Sequence, residues 1–177
     1  AEYIRALESK QHFKVYTVVD RWGVPDSIRA TLKGLHARPH EAIIGAVFIG
    51  DIPIPMIRDA QHLCSAFKMS QKMPWQESSV PSDRYYDDFS LQFDFLKRDS
   101  TATYYYYSLS ARGSQQVHPD LFSGRIRPTD GDIPGSRYTK LKAYLQKATE
   151  AKLHPERMMS VFVYTCLLYT SPSPRDA

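Results

Sequence analysis

The chain has 177 residues, 42% of them hydrophobic and 24% charged, and carries a formal net charge of +4. These values suit a globular protein with one sizeable core. No apolar run reaches the roughly 18 residues of a membrane span. Lysines and arginines are scattered among acids, so no nucleic-acid surface is expected either.

In chain order, Glu2–Lys10 places Tyr3, Ile4 and Leu7 at helical spacing and predicts a short amphipathic helix. Phe13–Val19 (FKVYTVV) is β-branched and aromatic and predicts the first strand. Pro25-Asp26-Ser27 then opens a helix whose face carries Ile28, Leu32 and Leu35, and Pro39 stops it. Ile43–Ile49 is apolar with little alternation, the pattern of a strand buried on both faces of a parallel sheet. Strand, helix and strand in so short a stretch predict a right-handed βαβ unit. Gly50 lets the chain turn out of the second strand, and Pro53 and Pro55 forbid a helix there. Asp51 is therefore expected at the outgoing end of a parallel strand, where open α/β sheets gather binding and catalytic groups. Its plainer role would be to cap the turn.

The middle of the chain differs. Arg58–Gln71 is helical or irregular up to Pro74-Trp75, and Ser82–Phe89 sets Asp83, Asp87 and Asp88 among aromatic residues. Leu91, Phe93 and Phe95 alternate with polar residues, and Thr103–Leu109 returns after a turn. Together they predict an antiparallel hairpin inserted at about 91–109. Alternation there puts Tyr104 and Tyr106 on one face and Tyr105 and Tyr107 on the other. Such a run either packs across strands or offers an aromatic surface to a carbohydrate or another domain. Leu121–Ile126 is a short strand and Thr129–Gly135 a loop. Arg137–Lys152 gives the clearest helix, with Tyr138, Leu141, Tyr144, Leu145 and Ala148 on one face. Pro155 ends it, and Met158–Thr165 begins another apolar strand. Cys166–Asp176 (CLLYTSPSPRD) resembles a translated sequencing adapter. Residues 166–177 are therefore set apart as non-native and residues 1–165 taken as the domain. The opening on Ala1 rather than Met adds the expectation of an internal piece of a longer protein.

Several side chains invite chemistry. Asp83, Asp87 and Asp88 offer oxygen ligands for Ca²⁺, but they lack the spacing of a known calcium loop. Turn capping and hydrogen bonds to buried tyrosine hydroxyls are the competing role. Cys64 and His62 do not make a dyad. On a helix, residues two apart point about 200° from each other, and in a strand they are mere neighbours without an orienting group. Cys64, alone once Cys166 is set apart, supplies neither a disulfide nor a CxxC metal site. His118 before Pro119 is expected to be solvated or singly bonded. No glycine-rich loop follows either early strand, which weighs against a nucleotide site.

Three segments taken together go further: VFIGDIPIP at Val47–Pro55, PSDRYYDD at Pro81–Asp88 and HPDLFSGRI at His118–Ile126. Their order and spacing resemble the caspase-like cysteine peptidases of the gingipain kind, and the helix at Tyr138–Ala148 matches that family's next element. The resemblance covers Glu2–Thr165; the tyrosine-rich hairpin is longer than the family leads one to expect. It implies an α/β fold, a mostly parallel sheet with flanking helices, holding the N-terminal part of a peptidase domain. It also implies peptide-bond hydrolysis by a Cys–His dyad, with backbone N–H groups holding the oxyanion. Both dyad residues would lie downstream of Thr165, so no catalytic residue is assigned here. Asp51, Asp83 and Arg125 are the strand-end rim candidates, Arg125 being able to pair two carboxylates at once. The implied partners are a polypeptide substrate and the C-terminal half of the domain. The implied setting is a bacterial exterior, secreted or surface-bound. The competing expectation is a non-catalytic module of the same shape, serving assembly, display or binding.

Overall fold

The computed structural model describes residues 1–60, 72–74, 78–100, 104–128 and 134–154. It divides into two compact units, one of Ala1–Thr17 with Tyr138–Ala177 and one of Val18–Arg137.

In the first unit, helix α1 (Glu2–Gln11) carries Glu2 in its first turn and Lys10 in its last, each opposing the helix dipole favourably. It ends on His12, whose φ of 57° is left-handed, a conformation that costs a non-glycine residue roughly 1–2 kcal/mol. Most of the long helix at Pro134–Leu153 belongs to this unit too. No helix among the described residues is long and apolar enough to cross a membrane.

The second unit begins without the predicted first strand. Residues 12–24 form no helix or strand, and Val18 and Val19 are exposed. Composition favouring a strand is not enough when no neighbour completes the ladder of hydrogen bonds. Helix α2 (Pro25–His36) is formed as expected, with Pro25 at its start and Ile28 and Leu32 buried. The predicted βαβ unit is therefore absent. Strand β1 (Gly45–Ile49) instead pairs in parallel with a strand far along the chain, Phe122–Ile126. Nor is β1 buried on both faces: Phe48 is inside, whereas Val47 is 48% exposed and Ile49 40%. Among the described residues its sheet has two strands. At Gly45 the two backbones approach so closely that a Cβ would meet the Phe122 carbonyl oxygen at 2.9 Å.

The chain then enters a second sheet. Strand β2 (Ile54–Arg58), unforeseen because of its prolines, lies between β3 (Val80–Pro81), antiparallel, and a parallel neighbour at Tyr104–Leu109. A single turn, α3 (Arg84–Asp87), follows β3. Strands β4 (Phe93–Arg98) and β5 (Tyr104–Leu109) form the expected antiparallel hairpin, with an irregularity between Phe95 and Lys97. The hairpin is not a separate insert, since β5 pairs with β2 along its other edge. The order is β3-β2-β5-β4, a mixed sheet, with β6 (Phe122–Ile126) back beside β1. Helix α4 (Pro134–Leu153) starts three residues before the predicted Arg137.

The core of this unit is aromatic. Tyr85 lies 4.5 Å from Tyr107, 5.0 Å from Phe93 and 5.5 Å from Tyr86, ring centre to ring centre. Ile28, Leu32, Phe48, Ile57 and Leu121 close around them. Tyr105, Tyr106 and Tyr107 are all buried, so the tyrosine run packs within the fold rather than presenting a surface. The expected strand at Met158–Thr165, most of Arg58–Gln71 and most of the loop Thr129–Gly135 lie outside the described residues.

Candidate functional site

Gly50 leaves β1 with φ at +92°, a conformation glycine adopts without the usual steric cost. Its N–H donates to the Ile126 carbonyl at 2.9 Å, tying together the outgoing ends of β1 and β6. Asp51 stands just past this point. Its Oδ1 accepts from Arg137 Nη2 at 2.5 Å and lies 3.7 Å from Arg127 Nε. The carboxylate is about half exposed, whereas both arginine side chains are more deeply placed.

Arg125, on β6 level with Phe48, forms the other half of the rim. Its guanidinium grips Asp83 with two parallel bonds, Nε to Oδ2 at 3.1 Å and Nη2 to Oδ1 at 2.7 Å. It also donates to the carbonyls of Ile52 at 2.8 Å and Pro53 at 3.3 Å. Arg125 thus takes one carboxylate and two carbonyls, not two carboxylates. Its cationic carbon sits 5.4 Å from the centre of the Phe48 ring. Tyr86, with no exposed surface, donates its hydroxyl to the same Pro53 oxygen at 2.8 Å. Asp83 and the loop after Asp51 are therefore neighbours joined by Arg125, while Asp51 itself is served by other arginines.

The three aspartates around α3 do not share a centre. Both oxygens of Asp83 face Arg125. Asp87 Oδ2 accepts from Ser123 Oγ and pairs with Arg84 at 2.9 Å. Asp88, fully buried, takes the backbone N–H groups of Ser90 at 3.1 Å, Leu91 at 3.3 Å and His118 at 2.7 Å. As they stand these carboxylates do not fit a calcium cage, and among the described residues no three His, Cys, Asp or Glu side chains converge. Asp88 is a turn cap, as the competing role foresaw. The buried tyrosines find other acceptors: Tyr85 and Tyr107 donate to Asp26, at 3.0 and 2.8 Å. His118 is exposed, with its ring 3.4 Å from the Gln116 side chain.

Asp87 has a titration consequence. Burial pushes its carboxyl above the ordinary 3.8, against the Ser123 hydroxyl and Arg84, with Asp83 and Asp88 pushing the same way as burial. Among the described residues its buried Oδ1 meets no hydrogen-bond partner. The folded state therefore holds this proton more tightly than the unfolded state. The contribution to stability is largest in acid and is lost as pH rises from the ordinary carboxylate range through the raised value. In Asp87→Asn that loss is absent. Urea denaturation at about pH 4 and pH 7 is expected to show the variant gaining on the wild-type protein at the higher pH. A difference constant with pH would refute this.

Sequence reasoning missed Arg29 and undervalued Asp26. Arg29 donates to the carbonyls of Tyr85, Asp88 and Leu91, the last two at 3.0 and 2.7 Å. Its acceptors are main-chain atoms 56 to 62 residues away, and a carbonyl leaves no mark on residue type. No thiol–imidazole pair occurs among the described residues; Cys64 and His62 lie outside them. Compared with family models, curated proteins and solved structures, the chain matches none. What the geometry provides is a braced strand-end rim, with its charges already engaged by partners within the fold.

Proposed function

We propose that this chain is the N-terminal part of a gingipain-like cysteine endopeptidase domain, inactive by itself. In this reading it supplies the strand-end scaffold for a Cys–His dyad carried by sequence beyond Thr165. The observation that carries the reading is the parallel pairing of β1 with β6. This pairing brings Val47–Pro55 and His118–Ile126 together, and Arg125 ties them to Asp83 in Pro81–Asp88. The support is narrower than the sequence suggested, because Phe13–Val19 does not form the parallel strand first expected beside β1. The mechanism needs a thiolate to attack the scissile carbonyl and an imidazole to move protons, so it invokes no cofactor. A polypeptide substrate, the remaining half of the domain and an exported location belong to the same proposal.

The test is the reading frame past Thr165. It is expected to encode a His-Gly and a later Cys, each after an apolar strand. The extended protein should hydrolyse peptides and lose that activity when the new Cys is changed to Ala. An extended sequence with neither residue ends the peptidase reading.

A second reading, a non-catalytic module for assembly or binding, is favoured by one observation. Asp51, Asp83 and Arg125 are all engaged by groups within the fold. It prevails if the extension keeps the strands and lacks both catalytic residues.

A further inference from the structure

A cleft of about 310 Å³ opens beside α2, and its walls are mostly polar. Arg29 and Lys33, one helical turn apart on α2, line it together with Arg112, Asp94 and Gln92. The charges in this lining are satisfied unequally. Asp26, also in the lining, has one oxygen taken by each of two tyrosine hydroxyls. Asp94 Oδ1 is held by Arg112 Nη2 at 2.8 Å. Arg29, by contrast, gives its N–H groups to neutral carbonyl oxygens, with its guanidinium carbon 5.1 and 5.2 Å from the Tyr85 and Phe93 ring centres. Among the described residues the Lys33 side chain makes neither ion pair nor hydrogen bond. Its ammonium sits 5.6 Å from the centre of the Phe89 ring.

Two like charges at this helical spacing repel each other. Partial desolvation is the first cause lowering the pKa of both cations, and Arg29 the second for Lys33, with Asp120 acting against the shift in each. An oxyanion would offset that repulsion and make charge-assisted bonds with donors already in place. We propose that this cleft is an oxyanion-binding site, taking a carboxylate or phosphate group between the Arg29–Lys33 side of α2 and Arg112. The site is independent of the peptidase reading and stands or falls separately from it.

Inorganic phosphate and acetate, titrated at constant ionic strength, are the probes, followed by calorimetry and by NMR of the arginine Nε–H and Gln92 amide resonances. Saturable shifts in the millimolar range, confined to this cleft, are expected for at least one probe. The probe that saturates identifies the oxyanion as phosphate or carboxylate. Lys33→Gln, an exposed change that should leave the fold intact, is expected to weaken binding about tenfold. Arg112→Gln should weaken it as well, whereas Lys147→Gln on α4 should not. Absence of saturation with both probes overturns the proposal. So does binding that is unchanged in Lys33→Gln and Arg112→Gln.

Discussion

Arg125→Lys is expected to destabilise the Val18–Arg137 unit by about 3 kcal/mol. The guanidinium makes four bonds at once, two to Asp83 and two to the carbonyls of Ile52 and Pro53. An ammonium is a point charge with no fork, so it can follow the carboxylate or the carbonyls but not both. The side chains involved are only 17% and 26% exposed, and water can replace little of what is lost. Arg125→Ala should cost more, since it leaves Asp83 without its partner and uncovers the Phe48 ring. The check is the urea midpoint at an unchanged dependence on denaturant. A lysine variant within about 0.5 kcal/mol of wild type would mean that Arg125 does not brace the rim.

Asp26→Ala is expected to cost a similar amount, about 2–4 kcal/mol. It removes the acceptor of two tyrosine hydroxyls in the aromatic core, Tyr85 at 3.0 Å and Tyr107 at 2.8 Å. Burial, with Asp26 adding to it, pushes both phenols well above the ordinary 10. Tyr107→Phe alone should cost only about 1 kcal/mol, because it deletes donor and bond together. In the combined Asp26→Ala and Tyr107→Phe protein the loss should be smaller than the sum of the separate losses, the signature of a direct contact. Strict additivity would show that the hydroxyl is satisfied by water instead.

Local pattern foretold the elements whose identity is set within a turn or a hairpin. Ile28 and Leu32 mark the buried face of α2 because burial of a helix follows a period of 3.6 residues. The alternation of Leu91, Phe93 and Phe95 and the return at Thr103–Leu109 announced the hairpin, in which Phe93 stands opposite Leu109 and Phe95 opposite Tyr107. Gly50-Asp51 marked the outgoing end of β1 because only glycine takes that turn freely. Phe13–Val19 shows the limit: its composition suits a strand, but a strand exists only where a neighbour supplies the other half of the ladder.

By itself, then, the sequence determined the buried face of α2, the hairpin and the end of β1, whereas Tyr138 and Tyr144, read as part of an apolar face on α4, are exposed. Tertiary structure alone decided that β1 pairs with β6, that β5 joins the hairpin to β2, and that Arg125 binds one carboxylate and two carbonyls. It also decided that Asp26, rather than the aspartates near α3, receives the Tyr85 and Tyr107 hydroxyls. The reason is physical. Periodicity and turn chemistry act between residues a few positions apart and so are written in residue type. Strand pairing and bonds to main-chain carbonyls join distant segments through atoms that nearly every residue carries.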